Sequence, residues 1–379
     1  MKKSNTKSEL IAQLRSTNPG AAPNGPHPLA AHPLAVHPLA PQPLRGRPPT
    51  ADWQRELCLL APRQLDDTLD WSQGAHWESA SGASARTAQR WRAAQALYAD
   101  LAVTQADVAD GAVVLPLAGL LARHAARLAT TPAFQRSFDT VPVTFGLVDL
   151  ERLVVSQFTL TLDKVEQITA GLAPARGARV AHAAQAAQVP QSQGGARPPP
   201  AVSARQLAAL CLPLKAPDAA LKLVYRSKGE LVFMAPAHDT RYLGAQLIAP
   251  APAPASAAVW PGHAQAVLAL GLGPSCNVVE VIRWGSRLVL QNGHHRAHAL
   301  RSLGLSHMPC VIQVCSSWDE VERVAHEAIL EHSDLYFELP RPPLLRDFDN
   351  PRLTQPVRTP RLQRQLRLSF QVESRLVAA

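Results

Sequence analysis

The sequence predicts an α/β fold, and three stretches carry that prediction. SRLVLQ, the Asn292-Gly293 pair, HHRAHALRSLG and MPCVIQV follow one another as strand, tight turn, helix and strand. VPVTFGLVDLERLVVSQFTLTLDKVEQI, residues 141–168, opens with β-branched and apolar residues, turns over Asp149 to Arg152, and starts a helix at Thr161 to Asp163. Ahead of both, TAQRWRAAQALYADLAV places Trp91, Ala94, Leu97, Tyr98 and Leu101 at three- and four-residue spacings, the stripe of an amphipathic helix.

Composition limits how much of the chain packs into a core. Its 379 residues include 34 prolines and only 5% aromatic residues. Residues 1–50 hold the repeat PHPLAAHPLAVHPLAPQPL, in which proline is too frequent for helix or sheet, so a disordered, extended leader is expected. His27, His32 and His37 recur within it without a fixed geometry to hold a metal. Residues 51–140 read as a helical region, LPLAGLLARHAARLA repeating the helical spacing. Trp53, Trp71, Trp77 and Trp91 are expected as core or docking residues, because no basic and aromatic alternation accompanies them.

The formal net charge of +9 suits an anionic partner but names none. Cys58, Cys211, Cys276, Cys310 and Cys315 form no CxxC pair, and an odd count argues for reduced thiols in the cytoplasm. The N-terminus starts basic without an apolar segment, and no run approaches the ~18 apolar residues of a membrane span. A soluble cytoplasmic protein without membrane contact is expected.

Two linker-like stretches, AHAAQAAQVPQSQGGARPPPAVSA and APAPAPASAA, bracket a segment that includes LKLVYRSKGELVFMAP, two strands about Lys228-Gly229. That segment is expected to be an insertion, about residues 171–275. Gly285-Ser286 makes a hairpin turn within NVVEVIRWGSRLVL, and a helix is expected over Ser317 to Glu331. Residues 336–379 read as a Pro-rich strap and a C-terminal strand, with Leu362, Leu366, Leu368, Phe370 and Val372 on one face. Alternation scatters Arg358, Arg361, Arg364 and Arg367 over both faces, which fits a solvated edge better than a phosphate track.

The chemistry concentrates at the turn. The first N–H groups of a helix have no partner within it, and Gly293 lets an anion approach the backbone closely. Asn292, Gly293, His294, His295 and Arg296 would then surround a phosphate, which explains basic side chains at a helix mouth where the dipole alone disfavours them. Two other readings stand beside this one. His294 and His298, four apart, share a helix face and suit zinc, though with neither the intervening acid of HExxH nor a third ligand. Alternatively the stretch is a capped surface helix with incidental histidines.

NGHHRAHALRSLGLSHMPCVI resembles the signature of the ParB/sulfiredoxin superfamily: Gly293, His295, Arg296, Ala299, Leu303, Gly304 and Pro309 fit its strand, Gly-x-His-Arg, alanine-rich helix, Leu-Gly turn and Pro-initiated strand. VDLERLVVSQFTLTLDKVEQI is similar to the family's opening segment, with Leu153 and Gln157 in register. The resemblance implies a compact α/β domain over residues 141–335, interrupted by the insertion. It also implies a bound nucleotide triphosphate, ATP or CTP, usually with magnesium, its phosphates over the turn. Members include CTP-dependent DNA clamps, ATP-dependent repair enzymes for overoxidised peroxiredoxin, free-serine kinases and reported nucleases.

The departures separate these uses. His294 stands where sulfiredoxins carry the attacking cysteine, so that chemistry lacks its nucleophile. Glu331-His332-Ser333-Asp334 keeps a carboxylate but not the partition proteins' full triphosphate and metal set, and the following stretch is Pro-rich and strand-like rather than helix-turn-helix. Asn292 replaces the Asp of kinase-like and nuclease-like members, and binds magnesium less strongly. Expected, then, is nucleotide or other phosphate binding at Asn292, Gly293, His294, His295 and Arg296. Phosphoryl transfer or nuclease-type cleavage would use Glu331 as metal or base candidate. The alternative is a non-enzymatic module that contacts DNA, or a protein through its helical region, with a degenerate nucleotide site.

Overall fold

The computed structural model describes residues 53–62, 83–172, 202–215, 221–227, 229–235, 240–248, 267–274, 276–361 and 364–376. All belong to one compact unit, Arg47–Ala379. The leader with its three histidines, Trp71, Trp77, Lys228, Leu362 and nearly all of the two linker-like stretches lie outside the described residues.

The front of the unit is not purely helical. It begins with β1 (Trp53–Leu59), continues through α1 (Ala83–Thr104), a 3-10 turn at Val108–Gly111 and β2 (Val114–Pro116), and ends with α2 (Gly119–Ala129) and α3 (Pro132–Ser137). The expected α1 stripe holds: Ala94 and Tyr98 are buried, and Leu97 and Leu101 pack against the core. The strands within this region carry no helical period, and long-range pairing decides them. β2 joins β3 (Val143–Asp149), where a Cβ on Gly146 would lie 2.2 Å from Val114 Cγ1, so only glycine admits that approach.

After β3 come β4 (Val154–Val155), β5 (Thr159–Thr161) and α4 (Leu162–Leu172), the helix starting where Thr161 to Asp163 predicted. β5 pairs with β1. The expected insertion contains α5 (Ala204–Cys211), β6 (Lys222–Arg226) and β7 (Glu230–Ala235). It also contains an antiparallel pair the sequence did not announce, β8 (Thr240–Ile248) with β9 (Val267–Pro274).

β10 (Glu280–Trp284) and β11 (Arg287–Asn292) form the hairpin about Gly285, and α6 (His294–Ser302) and β12 (His307–Cys315) complete the predicted strand, turn, helix and strand. The central sheet runs β2-β3-β12-β10-β11-β4, with β10 parallel to β12 and β11 parallel to β4. Its inner strands read as continuous apolar runs because both faces are covered. Val155, Val281, Leu288 and Leu290 pack on the α6 side. Their neighbours Val154, Ile282 and Val289 pack on the opposite side, against Val321, Ile329 and Tyr336. Burying each such side chain contributes about 1.5–3 kcal/mol.

The helix expected over Ser317 to Glu331 is broken. α7 (Trp318–Val324), closed at its start by a Ser317/Glu320 capping box, ends at Ala325, whose φ of −71° and ψ of 141° carry an extended backbone into His326. Two short helices follow, α8 (Glu327–Leu330) and α9 (Ser333–Phe337). The strap contains a strand, β13 (Thr354–Pro360), paired antiparallel with β1 over seven residues. β14 (Arg364–Ser369) is the C-terminal strand; it forms an edge of the sheet β14-β7-β6, with Leu366 and Leu368 half-buried on one face.

Candidate functional site

Asn292, Gly293, His294, His295 and Arg296 stand together at the junction of β11 and α6. Gly293 has φ 107°, a left-handed conformation unfavourable for any residue with a side chain, and an added Cβ would lie 2.9 Å from Val279 Cγ2. The first rung of α6 runs from Ala297 N to Gly293 O at 2.9 Å, leaving the helix mouth directed at the turn.

The side chains around that mouth are engaged inward. Arg296 donates through one nitrogen to Asn277 O at 2.6 Å and Leu210 O at 3.2 Å, and through the other to Asn277 Oδ1 at 3.0 Å and Val278 O at 3.1 Å. Asn292 Nδ2 donates to the same Val278 O at 2.8 Å. Val279 N donates to Cys211 O at 2.7 Å. Arg296 and Asn292 therefore fasten the approach to β10 and the end of α5 onto the turn.

The two histidines act as acceptors. His294 Nε2 accepts from Ser156 N at 3.2 Å, and His295 Nε2 accepts from Thr161 N at 3.0 Å. Burial pushes the His294 pKa down to about 3, reinforced by His295, His326 and Arg296 nearby, so its ring is neutral at physiological pH. Ser156 Oγ donates to Leu290 O at 2.8 Å, with His294 Nε2 at 3.4 Å, and Tyr336 Oη donates to Ser156 O at 3.3 Å. An imidazole accepting a backbone N–H through Nε2 cannot also offer that nitrogen to an anion as a donor. The expected three basic side chains around a phosphate thus stand in place, but as two imidazoles whose Nε2 atoms accept backbone N–H groups and one guanidinium bonded to carbonyls.

Glu331 is not brought to this cluster. It is exposed at the end of α8, and among the described residues its side chain makes no hydrogen bond to the turn. A carboxylate that the sequence reading missed lies closer: Glu280, buried on β10, sits opposite Asn292 in register and accepts from Gln291 Nε2 at 2.7 Å. Gln291 also donates to Val324 O and accepts from His326 N, which fixes the bend after α7. Glu280 was hidden within the apolar run NVVEVI, where a single acid signals nothing by spacing. Gln157, matched in the opening segment, donates to Thr159 O within its own loop, while Leu153 is buried.

Residues 292–296 carry no carboxylate of their own for a magnesium ion, and the acid beside them, Glu280, accepts from Gln291 through one oxygen. A hard cation takes carboxylate and carbonyl oxygens, yet the turn offers imidazoles, an amide bonded to Val278 and a guanidinium. His294 and His298 are both buried, burial lowers the His298 pKa, and no group of three or more metal-binding side chains exists among the described residues.

The arginines of the C-terminal stretch are divided between two sheets, Arg358 on β13 and Arg364 and Arg367 on β14. Arg367 pairs with Glu230 at 2.9 Å. Among the described residues no helix is long and apolar enough to cross a membrane.

The chain matches no family model, no curated protein and no solved structure. The ParB/sulfiredoxin resemblance rests on the quoted motifs.

Proposed function

We propose that the chain is a ParB/sulfiredoxin-like protein that works as a non-enzymatic binding module, its nucleotide site degenerate. The observation that carries this reading is Arg296, whose two terminal nitrogens are engaged by the carbonyls of Leu210, Asn277 and Val278. Supporting it, His294 and His295 accept backbone N–H groups, and the one acid assigned to metal or proton chemistry, Glu331, stands apart. In this reading the strand, glycine and helix persist as a joint that fixes α5, β5 and β10 to one another. The positive balance of the chain suits DNA or another acidic partner.

A second reading has its own observation. Gly293 keeps the left-handed backbone at the mouth of the nine-residue α6, an arrangement that admits a phosphate of ATP or CTP against main-chain N–H groups. Full-length protein incubated with ATP or CTP, with and without magnesium, separates the two: no product should form, and any rise in melting temperature should be as large in Gly293→Ala as in wild type. Turnover that Glu331→Gln abolishes would overturn the non-enzymatic reading.

A further inference from the structure

A groove of about 440 Å³ opens between α2 and α5, away from the residues of the turn. Arg123 and Arg127, four apart, share one face of α2, and Arg205 faces them from the first turn of α5. Neither helix contains a carboxylate, and among the described residues none of the three guanidiniums has a hydrogen-bond or ion-pair acceptor. Three like charges converge, and the dipole of α5 disfavours a cation at Arg205 while favouring an anion there. Leu120, Ala208 and Ala209 supply an apolar lining. His124 Nε2 donates to Leu212 O at 2.7 Å and holds the two helices together beneath the groove.

We propose that this groove binds a phosphate ester with an apolar or aromatic body. The guanidiniums of Arg123, Arg127 and Arg205 hold the phosphate oxygens, for which their planar forks are suited, and Leu120, Ala208 and Ala209 receive the body. The volume falls within the range of small-ligand sites, about 300–1,000 Å³. The far end of α5 accepts from Arg296 through Leu210 O, so a ligand that orders α5 also tightens the joint at Gly293.

Calorimetric titration of the full chain at low ionic strength tests the site, with AMP, CMP and inorganic phosphate as probes. The nucleoside monophosphates should bind at least tenfold more tightly than inorganic phosphate, and Arg123→Gln/Arg127→Gln should weaken them at least tenfold. Arg205→Gln should weaken them too, and all these exposed substitutions should leave the melting temperature of the free protein unchanged. Equal affinity in wild type and the double variant would overturn the proposal. So would binding of a long single-stranded oligonucleotide without binding of any mononucleotide, which would place an extended backbone there instead. Nucleotide turnover sensitive to Glu331→Gln would sink the non-enzymatic reading and leave the groove standing, whereas insensitivity of binding to the arginines sinks the groove alone.

Discussion

Arg296 grips Asn277 twice, through the main-chain oxygen at 2.6 Å and the side-chain Oδ1 at 3.0 Å. A planar guanidinium can meet two acceptors of one residue and still reach Val278 and Leu210; an ammonium is a point charge and cannot. Arg296→Ala should therefore destabilise the protein by about 2–4 kcal/mol, because partly buried carbonyls lose charged donors. Arg296→Lys should recover less than half of the loss. Urea unfolding followed by circular dichroism checks both, and an Arg296→Ala protein as stable as wild type would remove the joint from the structural account.

His294 gives the fold an acid sensitivity. Its folded pKa of about 3 lies below the ordinary imidazole value of 6.5, so the neutral ring is the one the fold favours. The corresponding stability is fully present above pH 6.5 and is lost as pH falls toward 3, with about 2 kcal/mol gone by pH 5. His298, also lowered by burial, acts in the same direction. Unfolding measured between pH 6.5 and 5, above the range in which carboxylates titrate, should show this slope in wild type and a reduced one in His294→Gln.

Features carried by neighbouring residues were readable in the sequence. Gly285, Gly293 and Gly304 all have positive φ where a hairpin, a helix entry and a helix exit were expected. SRLVLQ was readable as a strand; the covering of both its faces, with Leu288 and Leu290 on one side and Val289 on the other, came only with the structure. What could not be read depends on residues far apart in the chain. β1 is a strand because it lies between β5 and β13, more than a hundred residues away. The same distance hid the chemistry of the turn: His295 becomes an acceptor only because Thr161 N stands opposite it, and Arg296 finds Leu210 O across 86 residues. Residue type at a helix mouth announces a polar site; whether its donors face an anion or a carbonyl is decided by the opposing chain.

Gly293→Ala tests the turn without touching a charge. The substitution meets a φ of 107° and a contact of 2.9 Å with Val279 Cγ2. Strain of this kind costs about 1–3 kcal/mol. Val279→Ala in the same chain should relieve the contact but not the dihedral, so the double variant should fall short of Val279→Ala alone. If Gly293→Ala is neutral, the turn accommodates a side chain by shifting, and close backbone approach at Gly293 loses its basis.

The strap is held by a buried pair. Arg341 and Asp347, 1% and 3% exposed, meet through two hydrogen bonds of 2.8 and 2.5 Å, and Asp347 also accepts from Leu344 N at 2.9 Å. Tyr98 on α1 donates to Arg341 O at 2.6 Å and lies with its ring 4.9 Å from the guanidinium carbon, so the pair joins the front of the chain to its strap. Removing one partner leaves the other charged and buried, so Asp347→Ala should cost about 3–5 kcal/mol. Tyr98→Phe removes one neutral hydrogen bond and should cost about 1 kcal/mol. Replacing both charges, as in Arg341→Met/Asp347→Ala, should be less damaging than Asp347→Ala alone, because no unpaired charge remains. Chemical denaturation of the three variants reads this out, and a double variant less stable than Asp347→Ala would mean that the arginine's packing on Tyr98, not its charge, holds the strap.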